Sequence, residues 1–203
     1  EIMNMPEYYL TNAELDIFKN QTQELINALK LNKTAFFKLV ELGAGDGTKT
    51  KQLLKALDHQ VYNFRYAPID ISENALKHLK VSINKELPTV KINPKQGDYF
   101  NVLADLKASE YPIIVLFLGS NIGNLSDERA KEFISNLNDN LKTGNKILLG
   151  VDLIKPKSIV LPSYNYEQVI TKRIILNLLT RINNELEADF ETDFFEHKPE
   201  YDE

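Results

Sequence analysis

Three glycines at alternate positions, Gly43, Gly45 and Gly47, follow directly on the apolar run Thr34 to Leu42 and open onto a segment of helical spacing, Lys49 to Gln60. A run this short and this rich in Phe, Val and Leu reads as a strand buried on both faces. Leaving such a strand through bare backbone into a helix constrains the fold more than any other feature of the chain. A doubly buried strand needs strand neighbours on its edges and helices over its faces.

The same grammar repeats. Tyr62 to Ile71 reads as a strand, and Ser72 to Leu87 as a helix capped by Ser72. Thr89 to Asp98 is a strand weakened by Pro94, and Tyr99 to Ser109 a short helix. Tyr111 to Ser120 is the most strand-like stretch, followed by a helix from Ser126 to Lys142 with an acidic first turn, and Asn145 to Ile154 closes the series. Five strands alternating with helices imply right-handed crossovers and a parallel sheet covered on both faces, an α/β Rossmann-like architecture. Ahead of it, Thr11 to Lys30 is expected as one helix, with Thr11 and Glu14 at capping-box spacing and Leu15, Phe18, Thr22, Leu25, Ile26 and Leu29 on one face. Beyond Lys155 to Ser158 the pattern turns mainly helical as far as Leu186 and ends in an acidic, aromatic tail. The expected division is a substrate-side helix over 1–30, a ligand-binding Rossmann-like domain over 31–154, and part of a helical domain over 155–203.

Composition removes several kinds of protein. The net charge of -5 is spread along the chain with no basic block, which disfavours nucleic acid and anionic membranes as partners. Cysteine is absent, so disulfides, thiolate catalysis and cysteine–metal sites are excluded together. The three histidines, His59, His78 and His197, lie far from ligand spacing, and no metal is expected. No apolar stretch approaches the ~18 residues of a membrane span, and the first residues do not read as a signal peptide, so a cytoplasmic protein is the default expectation.

In an open parallel sheet the first strand-to-helix turn is the usual ligand cradle. The spacing is GxGxG, preceded by Glu41, whereas dinucleotide enzymes carry GxGxxG. A diphosphate wants the helix amino end free of negative charge, and Asp46 occupies that turn. An uncharged or cationic ligand fits better, and S-adenosyl-L-methionine, with its sulfonium, amino-acid end and adenosine, is one. Taken alone the glycines are equally a tight turn. Two acidic residues at successive strand ends add weight: Asp70, placed to accept both ribose hydroxyls, and Asp98, placed with the next amide to meet the adenine edge.

A narrower pattern lies in "MPEYYLTNAE", "VELGAGDGTKT", "PIDIS", "GDY", "LFLGSNIGNL", "LLGVDLIK", "SYN" and "INNELEADF". In this order the stretches resemble the S-adenosylmethionine-dependent histidine Nα-methyltransferases of ergothioneine biosynthesis, across nearly all of the chain. The resemblance implies the class I methyltransferase fold and an enzyme that methylates the α-nitrogen of histidine in up to three rounds. It implies cofactor contacts at Gly43, Lys49, Asp70, Asp98 and Tyr99, joined by Glu41, Gly45 and Gly47 of the loop. It also implies that Tyr8, Asn124 and Tyr164 hold the amino-acid substrate. Read without it, Tyr8 is equally aromatic packing, Asn124 a left-handed turn residue, and Tyr164 a core helix residue.

The chain departs from the family pattern at Val169 to Ile175, where Lys172 and Arg173 stand, and at Asn165, which replaces an acidic residue. Those positions leave open another amino acid or amine as acceptor, or a non-catalytic cofactor-binding module. The family's imidazole-reading Glu and Ser and an amino-terminal tyrosine segment are expected outside residues 1–203, so this stretch by itself is expected to hold cofactor without completing the acceptor site. A monomer acting on a small molecule is expected. A nicotinamide dehydrogenase is the remaining alternative from fold alone, and its GxGxxG is absent.

Overall fold

The computed structural model of the protein describes residues 9–98, 102, 106–164, 170–196 and 198. By its contacts the chain divides into two compact units, one of Glu14–Asp152 and one of Glu1–Ala13 together with Leu153–Glu203.

The larger unit is built on a parallel sheet. Its strands are β1 (Phe37–Leu42), β2 (Phe64–Asp70), β3 (Lys91–Ile92), β4 (Lys95–Gln96), β5 (Ile113–Phe117) and β6 (Lys146–Leu149). The order is β3-β2-β1-β5-β6, with β4 beside β2. β3 and β4 lie along the same edge of β2, pairing Arg65 with Lys91 and Asp70 with Gln96. They form one edge strand in two pieces. The break falls at Asn93–Pro94, opposite Ala67–Pro68, where neither proline can donate to a ladder. The expected weakening at Pro94 takes this form.

β1 and β5 are the centre, and their burial follows from composition: every residue of Ile113–Phe117 is buried, and in β1 only Lys38 is partly exposed. The two faces carry separate cores. On one, Leu39, Tyr66 and Leu116 meet Leu53, Leu54 and Leu57 of α3 (Thr50–His59), Leu79 and Ile83 of α4 (Glu73–Glu86), and Ile26 of α2 (Thr22–Leu29). On the other, Val40, Leu42 and Phe117 meet Phe133 and Leu137 of α5 (Asp127–Asn140). Each fully buried large apolar side chain contributes roughly 1.5–3 kcal/mol, so the two-faced sheet carries most of the unit's stability. Helices α4 and α5 start where expected, with Ser72 Oγ accepting from Ala75 N at 3.2 Å and Ser126 Oγ from Arg129 N at 3.4 Å. The short helix expected after Asp98 falls largely outside the described residues.

The first helix differs from expectation twice. It is already running at Tyr9 in α1 (Tyr9–Asn20), so Thr11 lies inside it and caps nothing. It also breaks at Gln21 (φ −124°) before α2, where the Thr22 hydroxyl donates back to the Phe18 carbonyl, a bond that bends helices. Glu14, free of the capping box, points its carboxylate elsewhere.

In the smaller unit, α6 (Lys157–Tyr164) contains Pro162 and is followed by α7 (Ile170–Leu186), in keeping with the mainly helical pattern expected as far as Leu186. Glu187, at φ 55°, ends α7 in the left-handed conformation. Asn183 then pins the returning chain, its side chain donating to Phe190 O and accepting from Phe190 N, both at 2.8 Å. Lys155 Nζ lies 4.9 Å from the Tyr9 ring centre, joining the two segments of this unit. Among the described residues no helix is long and apolar enough to cross a membrane.

Candidate functional site

The chain leaves β1 toward β2 and later returns on the other side as β5, so the carboxyl ends of β1 and β5 form a topological switch point, where open α/β sheets bind ligands. The glycine turn sits there. Its backbone hangs from the next strand: Gly43 N and Ala44 N both donate to Ile69 O, at 2.8 and 3.2 Å, and Gly45 N donates to Asp70 Oδ2 at 3.0 Å. All three glycines have positive φ. Two are needed for different reasons. A Cβ on Gly47 would collide with Leu79 Cδ1 of α4, so that glycine allows loop and helix to close together. Among the described residues a Cβ on Gly45 would meet nothing within 4 Å, so that face of the loop has room for a ligand.

Asp46 caps the turn, accepting from Thr48 N at 2.9 Å. It sets a carboxylate where a diphosphate would want bare amides, as its position in the sequence suggests.

Glu41 lies below the loop. Its side chain is buried, with the residue 3% exposed, and it accepts from Thr50 Oγ1 at 2.5 Å and from the Tyr66 hydroxyl. Burial pushes its carboxyl up to about 7, against the pull of those two hydroxyls. Burial, with the Glu41 charge beside it, also raises Tyr66 well above the usual phenol range. Each of its oxygens accepts from a hydroxyl inside the protein, so that Glu41 ties β1 to β2 and to the start of α3 and supports the loop from beneath.

Asp70 ends β2 as expected. Its Oδ1 accepts from Ser72 N at 2.9 Å and its Oδ2 from Gly45 N, one bond on each oxygen, and a carboxylate oxygen can take a second. Asp98 follows β4 on an exposed stretch, one residue after Gly97, whose N donates to Asp70 O at 3.1 Å. The ends of β2 and β4 thus bring Asp70 and Asp98 to one edge of the glycine turn. Asn124 is the last residue of a short 3-10 turn, Asn121–Asn124, and is exposed. Its φ is not positive, which removes the left-handed-turn reading. The left-handed residues of this loop are Gly119 (φ 74°) and Ser120 (φ 54°). Tyr164 is the last residue of α6, and Tyr8 and Tyr99 lie outside the described residues.

Sequence reasoning missed one participant. Lys49, at the start of α3, is ion-paired with Glu14 of α1, and both Glu14 oxygens accept from Gly119 N, at 2.9 and 3.0 Å. The signal was present in "PEYYLTNAE", whose final residue is Glu14, but capping-box spacing offered a local explanation for it.

A doubly wound sheet, a GxGxG turn at its switch point and an acidic residue closing β2 define a Rossmann-like protein of the methyltransferase class. A candidate S-adenosyl-L-methionine-dependent methyltransferase from Methanococcus maripaludis shares this fold, with a TM-score of 0.50 at 18% identity over 89% of this chain and 76% of that one. More particularly, residues 1–203 match the family described as "Histidine-specific methyltransferase, SAM-dependent", and the chain belongs to it. It is 35% identical over 197 residues to the histidine N-alpha-methyltransferase of Mycobacterium tuberculosis, covering 97% of this chain and 60% of that protein. It is 32% identical over 185 residues to ergothioneine biosynthesis protein 1 of Neurospora crassa, covering 90% of this chain and 20% of that protein. The chain therefore spans about three-fifths of the mycobacterial relative's length.

Proposed function

We propose that the protein containing this chain transfers methyl groups from S-adenosyl-L-methionine to the α-nitrogen of histidine, in up to three rounds. The observation that carries the reading is the open glycine turn beside Asp70 at the switch point, in a chain of the histidine-specific family. The residues fit the cofactor. Gly45 offers backbone with free space before it, Asp70 retains acceptor capacity for a ribose diol, and Asp46 makes the turn a poor seat for phosphate.

When bound, the cofactor supplies a methyl group on a sulfonium, already a good leaving group. The chain's remaining tasks are to bind and to orient, a proximity effect. In this reading Gly43, Gly45 and Gly47 back the cofactor, and Asp70 holds its ribose. Asp98 and Tyr99 meet the adenine, and Lys49 takes the carboxylate. Glu41 holds the loop from beneath. Tyr8, Asn124 and Tyr164 hold the substrate amino acid without adding charge, and the acceptor nitrogen must meet the methyl carbon unprotonated. Residues 31–154 then form the cofactor domain, with 1–30 and 155–203 on the substrate side, in a monomeric cytoplasmic enzyme of ergothioneine biosynthesis.

Transfer of labelled methyl from the cofactor to a panel of amino acids, with the full-length protein, tests this reading. Label in histidine is expected. Label in a different amine with none in histidine would reassign the substrate, and binding of cofactor with transfer to nothing would favour a non-catalytic module.

A further inference from the structure

Glu14 and Lys49 meet at a point that the backbone keeps clear for them. A Cβ on Gly150 would collide with Glu14 Oε1, and a Cβ on Gly119 would stand 3.2 Å from Lys49 Nζ. The loops after β5 and β6 are locked around this point, with Gly150 N donating to Phe117 O at 2.9 Å and Ser120 N to Gly150 O at 3.2 Å. Ser120 accepts a left-handed conformation, unfavourable for a residue with a Cβ, to complete the loop. The two side chains are mostly shielded, 15% exposed for Glu14 and 23% for Lys49. The desolvation of a pair this shielded offsets most of its Coulomb gain, so the space and strain given to it call for an explanation other than stability.

Position supplies one. Asp70 closes β2, the glycine turn closes β1, and Gly119, bonded to Glu14, follows β5 on the far side of β1. Neighbouring strands lie about 4.8 Å apart, so β2 and β5 are separated by roughly 10 Å across the turn. An elongated ligand lying over the glycines would present one end to the carboxylate of Asp70 and the other to a fixed cation and a fixed anion. A diol suits the first and an α-amino acid the second.

Resting on the cofactor reading above, we propose that Glu14 is a cofactor-binding residue that takes the α-ammonium of the amino-acid end of S-adenosyl-L-methionine, while Lys49 takes the α-carboxylate. Before binding, the two protein charges satisfy each other. A zwitterion exchanges that ion pair for two and leaves no shielded charge alone. A ligand carrying only one of the two charges would strand Lys49 or Glu14, which is costly in a shielded position. The pair therefore selects for an intact amino-acid end.

Calorimetric titration of the full-length protein and its Glu14→Gln variant with S-adenosylhomocysteine and with 5′-methylthioadenosine, which lacks the whole amino-acid end, tests the assignment. Glu14→Gln is expected to weaken S-adenosylhomocysteine by about tenfold or more while leaving 5′-methylthioadenosine within about twofold, because only the first engages the carboxylate. A deaminated S-adenosylhomocysteine should bind the wild type more weakly than the parent and regain affinity in Glu14→Gln, where no carboxylate is left stranded. Equal losses for both adenosyl ligands would mark Glu14 as structural, and an unchanged S-adenosylhomocysteine affinity would remove it from the site; either overturns the proposal. If the wild type binds neither ligand, the cofactor reading fails and this inference falls with it. Glu14→Ala, measured alongside with its melting temperature, separates loss of the charge from loss of the fold.

Discussion

Glu41 shows how much of a residue's surroundings its type and spacing leave undetermined. An acidic residue two places before a glycine turn reads as a ligand contact, yet here it is buried, with Thr50 and Tyr66 donating to it. Spacing could not reveal this, because Tyr66 reaches it only through the parallel pairing of β1 with β2. The consequence is a pH dependence of stability. The carboxyl is held at about 7 in the folded protein against an ordinary 4.5, so between those values the folded state keeps a proton that the unfolded chain releases. Its contribution is fully present below about pH 4.5 and lost as pH rises through 7, a swing of roughly 3 kcal/mol at most. Glu41→Gln, which cannot ionise, should flatten that decline. Urea midpoints for both proteins at pH 5 and pH 8 measure it, and parallel declines would show that Glu41 does not carry the shift.

At the scale of elements, the glycine turn and its helices separate what is local from what is not. The Ser72 cap and the alternation of strands and helices are legible because each depends on residues near in sequence. The break between α1 and α2 and the destination of Glu14 are not, since long-range partners outbid the local capping box. Gly47 and Gly45 look alike in sequence but differ in their neighbours. Gly47→Ala adds a collision with Leu79 to the strain of a positive φ and should destabilise by roughly 2–4 kcal/mol. Gly45→Ala has only the backbone strain and should cost roughly 1–2 kcal/mol. Thermal unfolding of the two variants checks the order, and equal losses would mean that contact with α4 does not set the loop's position.

At the scale of the molecule, the sheet order determines which loops can share a ligand. β1 stands between β2 and β5, so the glycine turn, Asp70 and Gly119 converge although 76 residues separate Gly43 from Gly119. S-adenosylhomocysteine at a hundred times its Kd should stabilise the protein by about 2.7 kcal/mol. Amide exchange should slow at 43–50, 70–72 and 118–121, at the carboxyl ends of the strands. It should not slow preferentially at the opposite ends around 62–64 and 111–113. Protection centred on those opposite ends would place the ligand elsewhere. By itself the sequence determined the alternation of strands and helices, the parallel sheet and the type of turn after β1, because these follow from periodicity and from residues near one another in the chain. Only the tertiary structure decided that Glu41 supports the loop while Glu14 meets Lys49 beside Gly119 and Gly150. Those choices depend on which strand ends become neighbours, and that is set by packing across the whole sheet.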